Sequence, residues 1–458
     1  MAITTNTNSS AIQLQDWSPV STPRLEEERE EEEAGANVIL HRTEHEFSLP
    51  RADGGLRAWL FLAGCFLVEA LVWGMPFSYG LFQDFYSITE PFKSKPSGLP
   101  AIGTTALAVM YLGSPLCFAA MQRWPLLLRW SPTFGVVCMV LSMICSSFAT
   151  EVWHLILTQG VMYGVGGSLM YNPVILYVDE WFIRRKGLAF GVMWAGTGFS
   201  GVTFPFLMSW LLNRYSLQVT LLAWGVLMGV ISIPLLFIIR PRIPESRRRL
   251  NPGINLQFMK TRTFMFIQLG NVIQGVGYFM PTIYLPTYAR SLGLQNTMIT
   301  VTLALLNGAA VFGCIFIGVL TDRFHVTTVI LISTLGATVA IFAMWGTAVS
   351  IPVLCIFSIV YGFFGGGFTT TYAGVVTEMR KSSNEVNSGL VVGTLAAGRG
   401  IGSLICGPLS EALVKGKPWQ GQVGLGYGSG FGPLIVFAGV SSLFGGVSYC
   451  ARRMGWLK

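Results

Sequence analysis

The chain has 458 residues, 52% of them hydrophobic and only 11% charged, against about 25% charged in an ordinary soluble domain. Its net charge of +8 is carried by short basic clusters set between apolar runs, a distribution that argues against nucleic acid as a partner. With a positive mean hydropathy of +0.57, this composition reads as a polytopic membrane protein.

Residues 1–57 form a polar N-terminal tail with the acidic run Glu26–Glu33, which repels itself, cannot bury a core and is expected to be disordered. The first fifty residues hold no apolar stretch long enough for a cleavable signal peptide. Apolar spans of about twenty residues then predict twelve transmembrane helices. The first six run near 58–80, 99–121, 131–149, 153–178, 188–211 and 217–239. A polar connection, 240–263, precedes six more near 264–288, 298–320, 326–348, 351–376, 389–413 and 427–450, and 451–458 form a short tail. The expected domains are therefore two six-helix bundles, 58–239 and 264–450, joined by the central loop.

Basic residues orient the chain. With the N-terminus inside, 23 of the 30 Lys and Arg fall on the cytoplasmic side, six fall opposite, and Arg399 lies within a span. This bias places both termini, the central loop and the cluster Arg184, Arg185 and Lys186 in the cytoplasm. The Asn8 sequon then lies in the cytoplasm too and is expected to stay unmodified. The eight cysteines sit inside predicted spans and read as small packing residues. The 53 glycines are concentrated in the spans, where small residues let helices approach closely. Groups at 164–167 and 362–367 occupy comparable places in the two halves, as in transporters built from repeats.

Two ionisable residues lie deep in spans, where they are expensive and by default functional. Arg399, midway along helix eleven, could hold an anionic substrate bidentately. Glu69, midway along helix one, could carry a proton. Either could instead be structural, bonded to neighbouring helices. Helix seven carries a polar stripe, Gln268, Asn271, Gln274 and Tyr278, within about one third of its circumference. The stripe suits a cavity wall or, equally, hydrogen bonding between packed helices; Asn307 in helix eight is a similar case. Asn271, Gln274, Tyr278 and Asn307 join Arg399 as candidate substrate-binding residues. Pro281 and Pro286 are expected to bend or end helix seven near its outer mouth. No phosphate-loop or HExxH motif occurs, and His41, His45, His154 and His325 are too scattered for a metal site. Neither a cofactor, a metal nor an enzymatic activity is expected.

Several segments carry a family likeness. "GVLTDRF", Gly318 to Phe324, resembles the G-x-x-x-D-R/K loop motif of the major facilitator superfamily, with Asp322 placed to brace a neighbouring helix end and Arg323 in the cytosol. The equivalent place after helix two reads "MQRWP" and lacks the acid. "DGGLRAW", Asp53 to Trp59, resembles the first signature of the monocarboxylate-porter family, with Asp53 and Gly54 matching. "WFIRRKGLAFG", continuing to Ala195 and Gly196, resembles its second signature, with Arg184, Arg185, Gly191 and Gly196 in register. "YGLFQDFY" and "GRGIGSLICGPLSEAL" are similar to fungal members, so the likeness spans 53 to about 450. Leu56, Trp59 and Met193 depart from the signatures. Ala310 and Cys314 stand where proton-coupled animal members carry an acid and an arginine in helix eight.

The resemblance implies an all-α membrane protein of the major facilitator fold, with twelve transmembrane helices in two pseudo-symmetric six-helix bundles. It implies a secondary transporter of a small organic solute, an organic (mono)carboxylate or a specialised metabolite exported by a fungal cell, working by alternating access. The expected partners are that solute, anionic if Arg399 binds it, protons through Glu69, and the lipid of the plasma membrane. The alternative is a non-transporting nutrient sensor on the same fold.

Overall fold

The computed structural model describes residues 50–93, 98–243, 254–382 and 386–457. The acidic run, the Asn8 sequon, His41, His45 and residues 244–253 of the central loop lie outside them. Among the described residues the protein is helical, with no strand. The described residues form twelve helices of twenty residues or more. The first six are α1 (Leu56–Ile88), α2 (Leu99–Arg123), α3 (Pro125–Ser146), α4 (Val152–Trp181), α5 (Lys186–Arg214) and α6 (Leu217–Ile238). The second six are α7 (Arg262–Ser291), α8 (Asn296–Arg323), α9 (Val326–Trp345), α10 (Ile351–Lys381), α11 (Ser388–Val414) and α12 (Gly432–Arg453).

Local chemistry sets several of these ends. Ser216, Thr261 and Asn387 are N-caps whose side-chain oxygens accept backbone N–H groups of the first turns of α6, α7 and α11. Prolines at the first turn start α2, α3, α10 and α12, where a missing N–H costs no hydrogen bond. Three expectations shift. α3 begins at Pro125 instead of 131, leaving Trp124 alone between it and α2. α1 continues eight residues further than expected, to Ile88. α7 runs unbroken past Pro281 and Pro286 to Ser291, so neither proline ends it.

Ten of the twelve helices are long and apolar enough to cross a membrane on composition alone. The other two, α5 and α7, are diluted by glycines and by the polar stripe respectively. α1 packs on α5, α2 on α4, and α3 on α4 and α6; α7 packs on α11 and α12, α8 on α10, and α9 on α10 and α12. The two sets meet mainly along α5 against α8 and α2 against α11.

The α5–α8 seam explains the α5 glycines. A Cβ on Gly191 would stand 2.5 Å from the Cys314 carbonyl oxygen, and one on Gly198 would stand 2.8 Å from that of Asn307. Gly187 lies against Gly318, one helical turn along from Gly191 and Cys314. No side chain fits between these backbones, which is why small residues recur along this face. Gly196 points elsewhere, onto α1, where a Cβ would come 2.9 Å from that of Glu69.

Candidate functional site

A cavity of about 80 Å³ lies among α1, α2, α4, α5, α7, α8, α10 and α11. Seven aromatic side chains line it: Trp73, Phe77, Tyr111, Tyr171 and Trp194 from the first six helices and Tyr278 and Tyr372 from the second six. Arg399 supplies its one cationic side chain.

Arg399 is only 2% exposed. Its guanidinium lies over the Tyr278 ring at 4.0 Å, with Phe279 at 5.5 Å and Phe368 at 5.8 Å. One Nη1 donates to the Gln274 Oε1 at 3.1 Å. Among the described residues no carboxylate pairs with it. A guanidinium offers five N–H donors, and a buried cation without an anionic partner is costly to maintain. Arginine is the suitable residue here, because its planar group can stack on tyrosine and still present an in-plane edge.

The helix-seven stripe divides. Gln268 donates to the Thr394 carbonyl at 2.9 Å and Asn271 to the Leu395 carbonyl at 2.7 Å, while the Tyr372 hydroxyl donates to Asn271 Oδ1 at 2.7 Å. Both amides are therefore consumed in joining α7 to α11. Asn271 does not line the cavity, and the inter-helix reading holds for it. Gln274 reaches the site only through Arg399, whereas Tyr278 forms part of the wall. Asn307 also lines the cavity, and its Nδ2 donates to the Leu303 and Gly201 carbonyls at 3.1 and 3.3 Å.

Glu69 is fully buried behind the cavity wall. Its Oε2 accepts from Thr197 Oγ1 at 3.3 Å, and its Oε1 has no hydrogen-bond partner. Thr197 lines the cavity, so one hydroxyl separates the carboxyl from the site. No ion pair joins Glu69 to Arg399. Cys314 of α8 lies within electrostatic reach of both.

The signature residues gather at one end of the bundle, the basic end. The Asp53 carboxylate accepts from the backbone N–H groups of Ile183, Arg184 and Arg185 at 2.9–3.0 Å. Trp59 meets Phe182 edge to face at 5.9 Å, and Phe61 stacks on Trp181 at 5.5 Å. The two signatures are thus two sides of one contact. Arg184 and Arg185 contribute backbone groups to it and leave their side chains exposed. Gly54 has open space around it; the left-handed backbone is at Asp53 (φ 59°) and Gly55 (φ 87°). From α8, Asp322 accepts from the N–H groups of Gly187 at 2.6 Å and Leu188 at 2.8 Å, so its carboxylate sits on the N-terminus of α5. Arg323 is exposed. Next to it, His325 caps α9 and lies 3.5 Å from Glu378; burial pushes its pKa below the ordinary histidine value, leaving the ring neutral at neutral pH.

A second brace at this end escaped sequence reasoning. Asp179, at the end of α4, pairs with Lys186 of α5 and with Arg380 of α10 at 2.5 Å. Ser388, the first residue of α11, donates to the same carboxylate at 2.7 Å. An acid at the end of an otherwise apolar span, seven residues before a lysine, was its sequence signal. The acid missing after α2 is thus matched by one reaching the start of α11 from α4.

Residues 62–379 and 269–451 match the pattern of the Major Facilitator Superfamily. The chain belongs to that superfamily. Relatives include the MFS-type transporter pynF of Aspergillus niger, 26% identical over 383 residues, covering 82% of this chain and 86% of that protein. The aspyridones efflux protein apdF of Emericella nidulans is 26% identical over 427 residues, covering 91% and 82%. The agnestins efflux protein AgnL12 of Paecilomyces divaricatus is 26% identical over 409 residues, covering 88% and 89%. This superfamily member is accordingly a multi-pass membrane transporter of a small molecule and not an enzyme.

Proposed function

We propose that this transporter exports a small organic anion from a fungal cell, as a monocarboxylate-porter-like member of the superfamily. The observation that carries the reading is Arg399, a buried guanidinium in a cavity with aromatic walls whose partners among the described residues, Gln274, Tyr278 and Tyr372, are all neutral side chains. An anionic solute supplies the missing charge. Relatives named as efflux proteins support the direction. Where the animal family's helix eight carries both charges, here Glu69 from α1 and Arg399 from α11 flank Cys314. In this reading Glu69 takes and releases the coupling proton through Thr197, and Arg399 holds the solute.

The two bundles, 58–239 and 264–450, then rock about the cavity with 240–263 as their cytoplasmic tether. The basic end faces the cytosol of a plasma membrane, with both termini inside. In this reading the Asp179 and Asp322 contacts close that end, and breaking them opens the cavity to cytosolic solute.

The test is profiling of organic acids in the medium of cells bearing the wild-type chain, the Arg399→Gln chain or neither. At least one acid should accumulate outside with the wild type and fall to background with Arg399→Gln at equal membrane abundance. An unchanged export profile for Arg399→Gln would sink the assignment.

A further inference from the structure

The geometry points to a flat, conjugated aromatic acid as the preferred occupant of the Arg399 cavity; this rests on the anion reading above and goes beyond it. The Arg399 Cζ lies 4.0 Å from the Tyr278 ring centroid, Gln274 occupies one Nη1 donor, and the Tyr372 hydroxyl is a further neutral neighbour of the guanidinium. An anion binds best to what remains through the guanidinium plane, as paired N–H···O bonds require. A carboxylate held in that plane and conjugated to a ring keeps the ring in the same plane. A saturated ring cannot follow it there, because its carbons pucker out of the plane.

The walls suit such a ring. Tyr111 packs 4.9 Å from Trp73, and its backbone neighbour across the seam is Gly400, the residue after Arg399, where a Cβ would come 2.7 Å from that of Tyr111. Tyr171 meets Trp73 edge to face at 5.6 Å, and Trp194 meets Tyr372 edge to face at 5.8 Å, so ring faces and ring edges both border the space. Tyr111 lines the cavity, and its hydroxyl is a polar group there for a second oxygen on the solute. Aromatic walls reward offset-stacked and edge-to-face rings beyond the area they bury. The recognition therefore reads shape and charge together.

Calorimetric titration of the full purified chain tests this with three probes: 2-naphthoate, its saturated counterpart decahydro-2-naphthoate, and the neutral 2-naphthalenemethanol. Naphthoate should bind about tenfold tighter than the saturated acid, corresponding to one or two aromatic contacts. Equal affinity for the two acids, tighter binding of the saturated one, or no binding of either overturns the flat-ring inference. The alcohol binding as tightly as naphthoate, with the saturated acid weak, overturns the anion reading and leaves the flat-ring inference standing. Tyr111→Leu should erase the preference between the two acids while Tyr111→Phe keeps it. A preference that survives Tyr111→Leu removes Tyr111 from the recognition, and thermal unfolding of each variant reports whether it folds.

Discussion

Arg380 and Asp179 lie 2.5 Å apart and join the end of α10 to the end of α4. They come from opposite sets of six helices, so this contact must break whenever the basic end opens. Lys186 and Ser388 share the same carboxylate, making it the meeting point of four helices. Asp179→Asn should shift the population toward the arrangement open at the basic end. Arg380 is 39% exposed, so the shift is worth about 1–2 kcal/mol, less than a fully buried pair. Mass spectrometry of the Cys314 peptide checks it: a membrane-impermeant thiol reagent applied from the basic side should label the cavity cysteine several-fold faster in the variant.

Gly191→Val should cost surface expression. Its Cβ alone would stand 2.5 Å from a backbone oxygen of α8, which cannot rotate away as a side-chain end could. Overpacking of this kind costs about 1–3 kcal/mol. The control is Gly113→Ala on α2, where nothing stands within 4 Å of an added Cβ. Fluorescence-detected size exclusion should show a normal monodisperse peak for the control and a diminished one for Gly191→Val.

Arg399→Lys should fail nearly as completely as Arg399→Gln. Lysine keeps the charge but loses the planar stack on Tyr278 and the paired donors. Export should fall by about tenfold or more, as expected for a stacked, desolvated cation worth about 2 kcal/mol. Wild-type rates in Arg399→Lys would show that charge alone suffices.

Glu69→Gln should leave solute exchange intact and remove accumulation driven by a pH gradient. The substitution preserves shape and the Thr197 contact but fixes a neutral side chain. Proteoliposomes with and without an imposed gradient separate the two activities, and gradient-driven accumulation persisting in the variant would acquit Glu69 as the proton site.

A cysteine placed at Arg184, whose side chain is exposed, should react with impermeant reagents only from the cytosolic face. Reaction from outside the cell would invert the orientation drawn from the basic residues.

Much of this architecture was legible because bilayer chemistry writes itself into sequence as apolar runs of fixed length. The superfamily loop motif marked Asp322, and the glycines of α5 marked a close seam. What stayed hidden were relationships across the chain. The stripe on α7 has the same periodicity whether it faces a cavity or a helix, so only the positions of Thr394 and Leu395 reveal that Gln268 and Asn271 bond to α11. Asp179 drew no notice in the sequence because its partner Arg380 lies 201 residues away. The aromatic walls were invisible for a similar reason: Trp, Tyr and Phe are ordinary in apolar spans, and seven of them converge only in three dimensions.

The α5–α8 contact has a mechanical meaning. Interlocked side chains would act as gear teeth, which two bodies must disengage before they can turn. Backbone against backbone, with glycine at Gly187, Gly191, Gly198 and Gly318, is closer to a plain bearing, where surfaces roll with little to climb over. Resistance to the stroke then sits at the rim, in Asp179 and Asp322, and the axle itself is smooth. Mutations at the rim should set how fast the machine turns, and mutations on the axle should decide whether it can be assembled at all.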